Sequence, residues 1–451
     1  MDTQDFRYKW WALIGLSLLS FTAFLDFTIV STALPFIQQA FHASVLKLQW
    51  ITNIYGMLVC IFQVISGRIG DSFGRRKIFY FGFLLFAIAS LGAGLAHSID
   101  IVIGFRALQG VAGAIVFTLG AALIPQAFPE KEHTRAVGIF SAFNGAGLAV
   151  GPFLGGLLIT YLSWRWVFLV NIPIIIIGFI CCSFSLKESP RQQQLKIDWW
   201  GFLLLAIGLG CFIYGLINGE SISWSTPITW INIIIGIVAL LALLKVEKKV
   251  AHPLLDLDLF KHKHTALVIV AVVLASLVSF TLLFFDPLYL RLVLHHTAMT
   301  IGIMLLAVPI MQVIVSIGLT PLIKRFGVFN LLAFSGVTGL ITALLHAYFG
   351  VGTSLWIIII AFLLMGYSWG IGNAGSIAGI MQSVKTDQIG GALGTVFTMW
   401  NLFNAIFLAL STVIFHSVGK NHGFLPGFHA MAWFVAAIML IGLITSLILR
   451  K

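Results

Sequence analysis

Charge is scarce in this chain. Only 9% of its 451 residues are Asp, Glu, Lys or Arg, whereas 60% are hydrophobic. Soluble domains carry roughly a quarter charged residues, so the composition excludes a water-facing globular protein and implies a membrane protein throughout. Acidic residues are the scarcer sign, 15 against 26 basic. A net charge of +11 invites comparison with nucleic-acid binders, but the basic residues sit in short segments between apolar runs. That placement is a topology signal and not a nucleic-acid face. The four cysteines (Cys60, Cys181, Cys182, Cys211) all fall inside apolar runs with no metal-site spacing, and buried thiols act as small hydrophobes. No Walker-type glycine loop is present, which argues against ATP-driven transport. A lipid-processing enzyme would need a clustered acid, base, nucleophile or metal set near the interface, and none appears. Rings of like residues from symmetric subunits, which mark many channels, are not evident either.

What remains is apolar runs. They recur near 10–34, 47–69, 78–97, 100–126, 136–161, 165–186, 197–218, 226–245, 264–289, 299–322, 327–349, 353–381, 389–416 and 427–449. Each is long enough to cross a bilayer as a helix, which predicts an all-α integral membrane protein with about fourteen spans. The first run is too long for a cleavable signal peptide and reads as a span. No connecting segment is long enough for a separate soluble domain. Basic residues crowd alternate loops: Arg7 and Lys9; Arg75, Arg76 and Lys77; Lys131 and Arg135; Lys187, Arg191 and Lys196; and so on to Arg450 and Lys451. The opposite loops carry chiefly Arg165, Arg291 and Lys420. The positive-inside rule then puts both termini in the cytoplasm, with an even number of spans. Polar linkers at Lys187–Lys196 and Lys245–His264 divide the chain into a six-helix bundle (1–190), two additional helices (191–250) and a second six-helix bundle (251–451).

Two ionisable residues lie deep inside spans. Asp26 is roughly 13 Å short of Pro35 on the first, and Arg106 about 9 Å from the outer start of the fourth, so their depths match. A carboxylate facing lipid is costly, so intramembrane charges default to a protein interior or a water-filled path. The two are expected to share an outward-leaning cavity, where Asp26 can exchange a proton beside a permanently charged guanidinium. The alternative is a static pair that fixes the bundle. Gln109, one turn from Arg106, either orients the arginine or contacts substrate in the cavity, or simply bonds between helices. Asp286, before Pro287 and near Arg291, reads as an interfacial charge, with receipt of an external proton as the second reading. Asp198 opens the seventh span as a helix cap. The histidines singled out, His262, His264, His295 and His296, lie in loops without metal-site spacing. Gly147, Gly151 and Gly155 repeat every four residues around Pro152, a smooth stripe for close helix packing with a bend. Among the aromatic residues, Tyr55, Phe143, Trp369, Trp400 and Phe403 are candidates to line a cavity for a flat apolar solute.

Several stretches carry a resemblance. Gly67-Arg68-Ile69-Gly70-Asp71-Ser72-Phe73-Gly74-Arg75-Arg76, expected as a cytoplasmic loop, is similar to the G-x-L-x-D-x-x-G-R signature of the major facilitator superfamily. Arg106-Ala107-Leu108-Gln109-Gly110 resembles its R-x-x-Q-G motif, and Gly147, Gly151-Pro152 and Gly155-Gly156 its antiporter motif. Leu25-Asp26-Phe27-Thr28-Ile29-Val30 through Ala33-Leu34-Pro35 resembles the signature of its fourteen-helix drug:proton antiporters, as do Trp164–Phe168 and Asn171-Ile172-Pro173. Ser31 departs from the usual Asn, and Lys324 stands where a second copy of Asp71 would align.

The resemblance implies a major facilitator fold arranged 6+2+6 in the plasma membrane. It implies export of small lipophilic or cationic compounds by alternating access, driven by a proton gradient and needing no cofactor. Proton coupling would run through Arg106 and Asp26, and cytoplasmic gating through Gly67, Asp71, Gly74, Arg75 and Arg76. A specific metabolite as cargo, such as an amino acid, sugar or siderophore, stays open. So do a periplasmic adaptor and an outer-membrane duct as partners.

Overall fold

In lipid every backbone N–H and C=O must find its partner within the chain, and a helix does this locally. The structure, a computed structural model, describes residues 8–129, 132–186, 198–221, 224–247, 261–384 and 389–450. Among the described residues fourteen helices are long and apolar enough to cross a membrane, the number the apolar runs predict. The linkers at 190/191 and 250/251 lie outside the described residues.

The chain divides into two compact units, 1–43 with 50–197 and 297–303, and 44–49 with 198–296 and 304–451. The first holds α1 (Lys9–Phe41), most of α2 (Val45–Phe73), α3 (Arg75–Gly94), α4 (Ile99–Ala122), the short α5 (Ile124–Ala127), α6 (His133–Tyr161), the short α7 (Trp166–Leu169) and α8 (Asn171–Ser185). α1 is its centre: it packs against α4, α6 and α8, while α3 packs against α4 and α8.

The second unit holds α9 (Trp199–Ser221), α10 (Pro227–Glu247) and α11 (Lys263–Leu292). After these come α12 (Ala298–Leu305), α13 (Ala307–Ile317), α14 (Leu319–Phe326), α15 (Val328–Ala347), α16 (Leu355–Ser383), α17 (Ile389–His422) and α18 (Phe424–Arg450). The opening residues of α12, through Ile303, group with the first unit. α11 is the hub, with 89% of its most apolar window buried among α15, α16, α17 and α18. α9 and α10 pack on each other, and α9 rests on α17. α10 is the least buried span, and its open face carries Ile231, Ile234, Val238 and Leu241. An apolar face of that length suits contact with lipid chains.

Two local expectations change. The 67–77 stretch is not a loop: α2 runs to Phe73 and α3 starts at Arg75, leaving Gly74 alone to turn the chain at φ 107°. Only glycine takes that backbone at little cost, so one residue replaces a loop. Gly327, φ 78°, performs the same turn between α14 and α15. The tenth span is also broken, at Leu306 and at Gly318. Pro309 and Pro321 cannot donate to the carbonyls four residues earlier, Leu305 and Ile317, and the breaks fall beside those carbonyls.

Pro152 removes a bond inside α6 in the same way, freeing the carbonyl of Leu148. That carbonyl is answered from α1: Thr28 Oγ1 lies 3.2 Å from it and 3.3 Å from the Leu25 carbonyl. The approach is close because the α6 stripe has no side chains. A Cβ on Gly147 would meet the Phe21 carbonyl at 2.7 Å, one on Gly151 would land on Thr28 Oγ1, and one on Gly155 would meet Ile29 at 3.0 Å. A Cβ on Gly156 would meet the carbonyl of Ala298 at 2.6 Å. Gly151→Ala is therefore expected to destabilise by about 1–3 kcal/mol through overpacking. Gly145→Ala, which meets nothing within 4 Å, should be neutral or slightly stabilising. Thermal unfolding of the two variants in detergent, beside the unsubstituted protein, checks the contrast.

Candidate functional site

Five helices of the first unit bring polar groups to one point. α1 carries Asp26, α2 Tyr55, α3 Ser90, α4 Arg106 with Gln109 one turn on, and α8 opens with Asn171. All are nearly solvent-free: Arg106 is 2% exposed and Asp26, Gln109, Ser90 and Asn171 are fully buried. Arg106 Nη1 donates to Asp26 Oδ2 in a short ion-paired hydrogen bond. The same nitrogen reaches Gln109 Oε1 at 2.9 Å, and Nε donates to the Ile51 carbonyl at 3.1 Å. The other carboxylate oxygen accepts from Asn171 Nδ2 at 3.0 Å and Gln109 Nε2 at 3.3 Å. Both amides also donate to Ser90 Oγ, at 2.8 Å from Gln109 and 3.3 Å from Asn171. The Tyr55 ring lies under the guanidinium, 4.1 Å from its carbon. Cation–π attraction of this kind gains strength in a dry site.

The matched depths of Asp26 and Arg106 are thus realised as direct contact. The pair does not line an open cavity, however. Tyr55 covers the guanidinium, while Asn171 and Gln109 donate to the same carboxylate oxygen of Asp26. Gln109 bonds to Arg106 and, through Asp26 and Ser90, to two neighbouring helices. Ser90 and Asn171 were not singled out as site residues. Asn171 stands in a recognisable motif, whereas nothing in the sequence marks Ser90.

Chemically the network is a charge-neutral knot with few unsatisfied groups. Among its members the Tyr55 hydroxyl and Asn171 Oδ1 lack a hydrogen-bond partner. A proton on Asp26 would weaken the ion pair and leave Arg106 held by Gln109, the Ile51 carbonyl and Tyr55.

The residues of the motif at 67–76 serve the end of the same unit. Gly67 and Gly70 leave room for Thr118 and Leu119 of α4. Asp71 Oδ1 accepts from Arg75 Nε at 2.5 Å, and Arg75 Nη1 donates to the Ala122 carbonyl at 3.0 Å. Arg76 lies over the Tyr80 ring and donates to the Ser183 carbonyl at 3.3 Å. Lys9 and Glu132 close a further ion pair at 2.8 Å. These contacts clamp α2, α3, α4 and α8 together at the basic end.

The aromatic candidates fall in different units. Phe143 is half-buried on α6. In the second unit Trp369 and Trp400 both pack against Phe280, with ring centres 5.8 Å away in each case, and the Trp369 indole N–H has no partner. Phe403 lies 5.5 Å from Phe407. Asp198 caps α9 as expected, its Oδ1 accepting from the Gly201 N–H at 2.9 Å.

Asp286 corrects its interfacial reading. α11 continues to Leu292, beyond the expected end, and Asp286 is fully buried. It faces His346 on α15, a residue the sequence reading passed over although it lies inside an apolar run.

Comparison with known proteins fits this architecture. The sequence model of the Major Facilitator Superfamily matches residues 16–201 and again 199–408. The chain belongs to that superfamily; it is a membrane transport protein and not an enzyme. It is 31% identical to the tetracenomycin C resistance and export protein of Streptomyces glaucescens, over 86% of this chain and 74% of that one. With the multidrug resistance protein Stp of Mycobacterium tuberculosis (strain CDC 1551 / Oshkosh) it shares 29%, over 89% and 75%. With a putative multidrug resistance protein, MdtD, of Escherichia coli O9:H4 (strain HS) it shares 28%, over 91% and 95%. Among solved structures, the fold is similar to an auto-inhibited POT family peptide transporter, with a TM-score of 0.73 at 15% identity over 99% and 97% of the two chains. It is also similar to the nucleoside transporter NupG, with a TM-score of 0.72 at 12% identity over 98% and 100%.

The network sets an energetic order. Arg106→Ala leaves a buried carboxylate without its cation and should destabilise by about 3–5 kcal/mol. Asn171→Leu removes one donor and should cost about 1–3 kcal/mol. Chemical unfolding of the purified variants in one detergent checks whether the two fall in that order.

Proposed function

We propose that this transporter exports small lipophilic or cationic compounds in exchange for protons, by alternating access. The observation that carries the reading is the buried Asp26–Arg106 pair, joined by Gln109 and Asn171 within one unit. A charge kept at such cost inside a membrane protein marks a solute or proton path. The relatives named for drug resistance and export support the choice of cargo and direction. The basic loops support a plasma-membrane orientation with both termini in the cytoplasm.

In this reading Asp26 takes a proton from the outer side, which loosens its hold on Arg106 and leaves the guanidinium with Gln109, the Ile51 carbonyl and Tyr55. Returning the proton to the cytoplasm restores the pair. Tyr55 follows the guanidinium and so couples its movement to α2. The reading calls for a single chain with no adaptor or outer-membrane duct, and no cofactor beyond the proton gradient.

The test is ethidium efflux in everted vesicles energised by a proton gradient. Gradient-dependent movement of the dye is expected in the unsubstituted protein. Asp26→Asn should lower it at least about tenfold at equal membrane levels, the size of effect expected when a proton-transfer group is removed. Unchanged efflux in Asp26→Asn would make the pair structural. No efflux in the unsubstituted protein would turn the reading toward a dedicated metabolite.

A further inference from the structure

The second unit also carries a buried acid on its first helix of the six-helix set, and its surroundings differ from those of Asp26. Asp286 on α11 and His346 on α15 are both fully buried. His346 Nε2 stands 3.2 Å from Asp286 Oδ1. Neither Asp286 oxygen nor His346 Nε2 has a formed hydrogen bond in this structure. Among the described residues no arginine, amide or hydroxyl hydrogen-bonds to this carboxyl group as Arg106, Gln109 and Asn171 do to Asp26.

The proton count follows from the other face of the ring. His346 Nδ1 lies 2.7 Å from the Thr342 carbonyl, which only accepts, so Nδ1 carries a hydrogen. A neutral ring then has a bare lone pair at Nε2. Set against an ionised carboxylate at 3.2 Å in a dry site, that arrangement leaves two acceptors in contact with no hydrogen between them. One proton on this edge resolves the conflict, carried either by Nε2 or by the carboxyl group. In both cases the pair is neutral overall and needs no further counter-ion.

The other ionisable groups around it do not supply that proton. Tyr289, less than one turn from Asp286, donates its hydroxyl to the Gly350 carbonyl at 2.8 Å. On α18 His429 engages the Phe349 carbonyl through Nε2. Arg291 on α11 donates to the His296 carbonyl at 3.1 Å. α17 bears His416, half-buried beside Phe415, and Lys420 and His422 near its end. α16 carries Tyr367, packed toward Phe334, and no charged residue. Apolar rings enclose the imidazole: Phe349 at 4.4 Å, Phe362 and Phe428 each at 6.2 Å. Tyr289 stacks on both Phe349 and Phe428, so the cover is continuous.

We propose that Asp286 and His346 form a second proton-binding site, which holds one proton between His346 Nε2 and the Asp286 carboxyl group and exchanges it when the Tyr289–Phe349–Phe428 stack parts. The charged loops place this end of α11 and α15 toward the outside, so the proton arrives from there. The proposal rests on the proton-exchange reading above, but its test needs no cargo.

The full-length protein, labelled with 15N-histidine and held in lipid nanodiscs, is titrated by NMR, with His346 assigned by the signal lost in His346→Gln. The expected result is a His346 ring whose Nδ1 stays protonated while Nε2 responds to pH. Asp286→Asn should weaken proton binding at His346 about tenfold or more, because the partner charge is gone. Asp286→Glu, which keeps the acid, should preserve the coupling and serves if the asparagine variant does not fold. A His346 signal that is flat across the accessible pH range overturns the proposal, as does a titration unchanged by Asp286→Asn. In vesicles, the double variant Asp286→Asn, His346→Gln retains two hydrogen-bonding groups but no acid. It should fold and change the pH profile of ethidium efflux, whereas a merely structural pair would leave that profile in place. Absent efflux from the unsubstituted protein counts against drug export and leaves the NMR result standing.

Discussion

A charge in a dry interior must be answered on every side, and the first unit is organised around that demand. Removing a carboxylate and a guanidinium from water costs several kcal/mol each, and attraction between them repays it only with good geometry and further hydrogen bonds. Asp26 and Arg106 obtain both, but no single helix can supply the donors. Gln109 reaches from the turn beyond Arg106, Asn171 from the start of α8, and Ser90 from α3 fixes both amides. The position of α8 beside α1 and α3 is therefore tied to the same carboxylate as the position of α4. Moving any one of these helices by an ångström leaves a buried polar group without its partner.

A second constraint acts on the backbone. Water cannot repair a broken helical bond inside lipid, so each proline creates a carbonyl that something else must satisfy. On α6 the carbonyl freed by Pro152 is met by Thr28, two residues from Asp26. The neighbouring glycines make that reach short enough. The glycine stripe, the proline and the threonine thus form one device, and it holds the stretch of α1 that carries the acid. At Leu306 and Gly318 the solution is different, and the helix breaks. A carbonyl bound from a neighbouring helix and a broken span are two answers to the same missing donor.

Much of this architecture was legible because hydrophobic length and loop charge are one-dimensional signals. The fourteen spans followed from run length, and the meeting of Asp26 with Arg106 from their equal depth. What was not legible is partnership at long range. Asn171 lies 145 positions from Asp26, and an Asn at a helix start looks like a cap until the fold brings it to a carboxylate. Ser90 is one serine among many. Asp286 reads as interfacial because its run seems to stop at 289, while the helix runs on to Leu292 and the acid is fully buried among neighbouring helices. His346 shared that fate, since the histidines singled out were those in loops. The 67–77 stretch misled in the opposite sense: its polarity reads as a loop, yet a single glycine with positive φ does the turning.

The two buried acids differ in what a proton would disturb. Asp26 accepts from Arg106, Gln109 and Asn171, so protonating it weakens bonds to three side chains and exposes a buried cation to a partial loss of its partner. That change must be accompanied by rearrangement, which is what a coupling step requires. Asp286 accepts from none, and a proton there fills a vacancy between two acceptors. Such a site can gain a proton with little local movement, while losing it creates repulsion that only motion or water can relieve. In the proposed reading the Asp26 step is tied to movement of the helices that supply its donors, and the Asp286 step to parting of its aromatic cover.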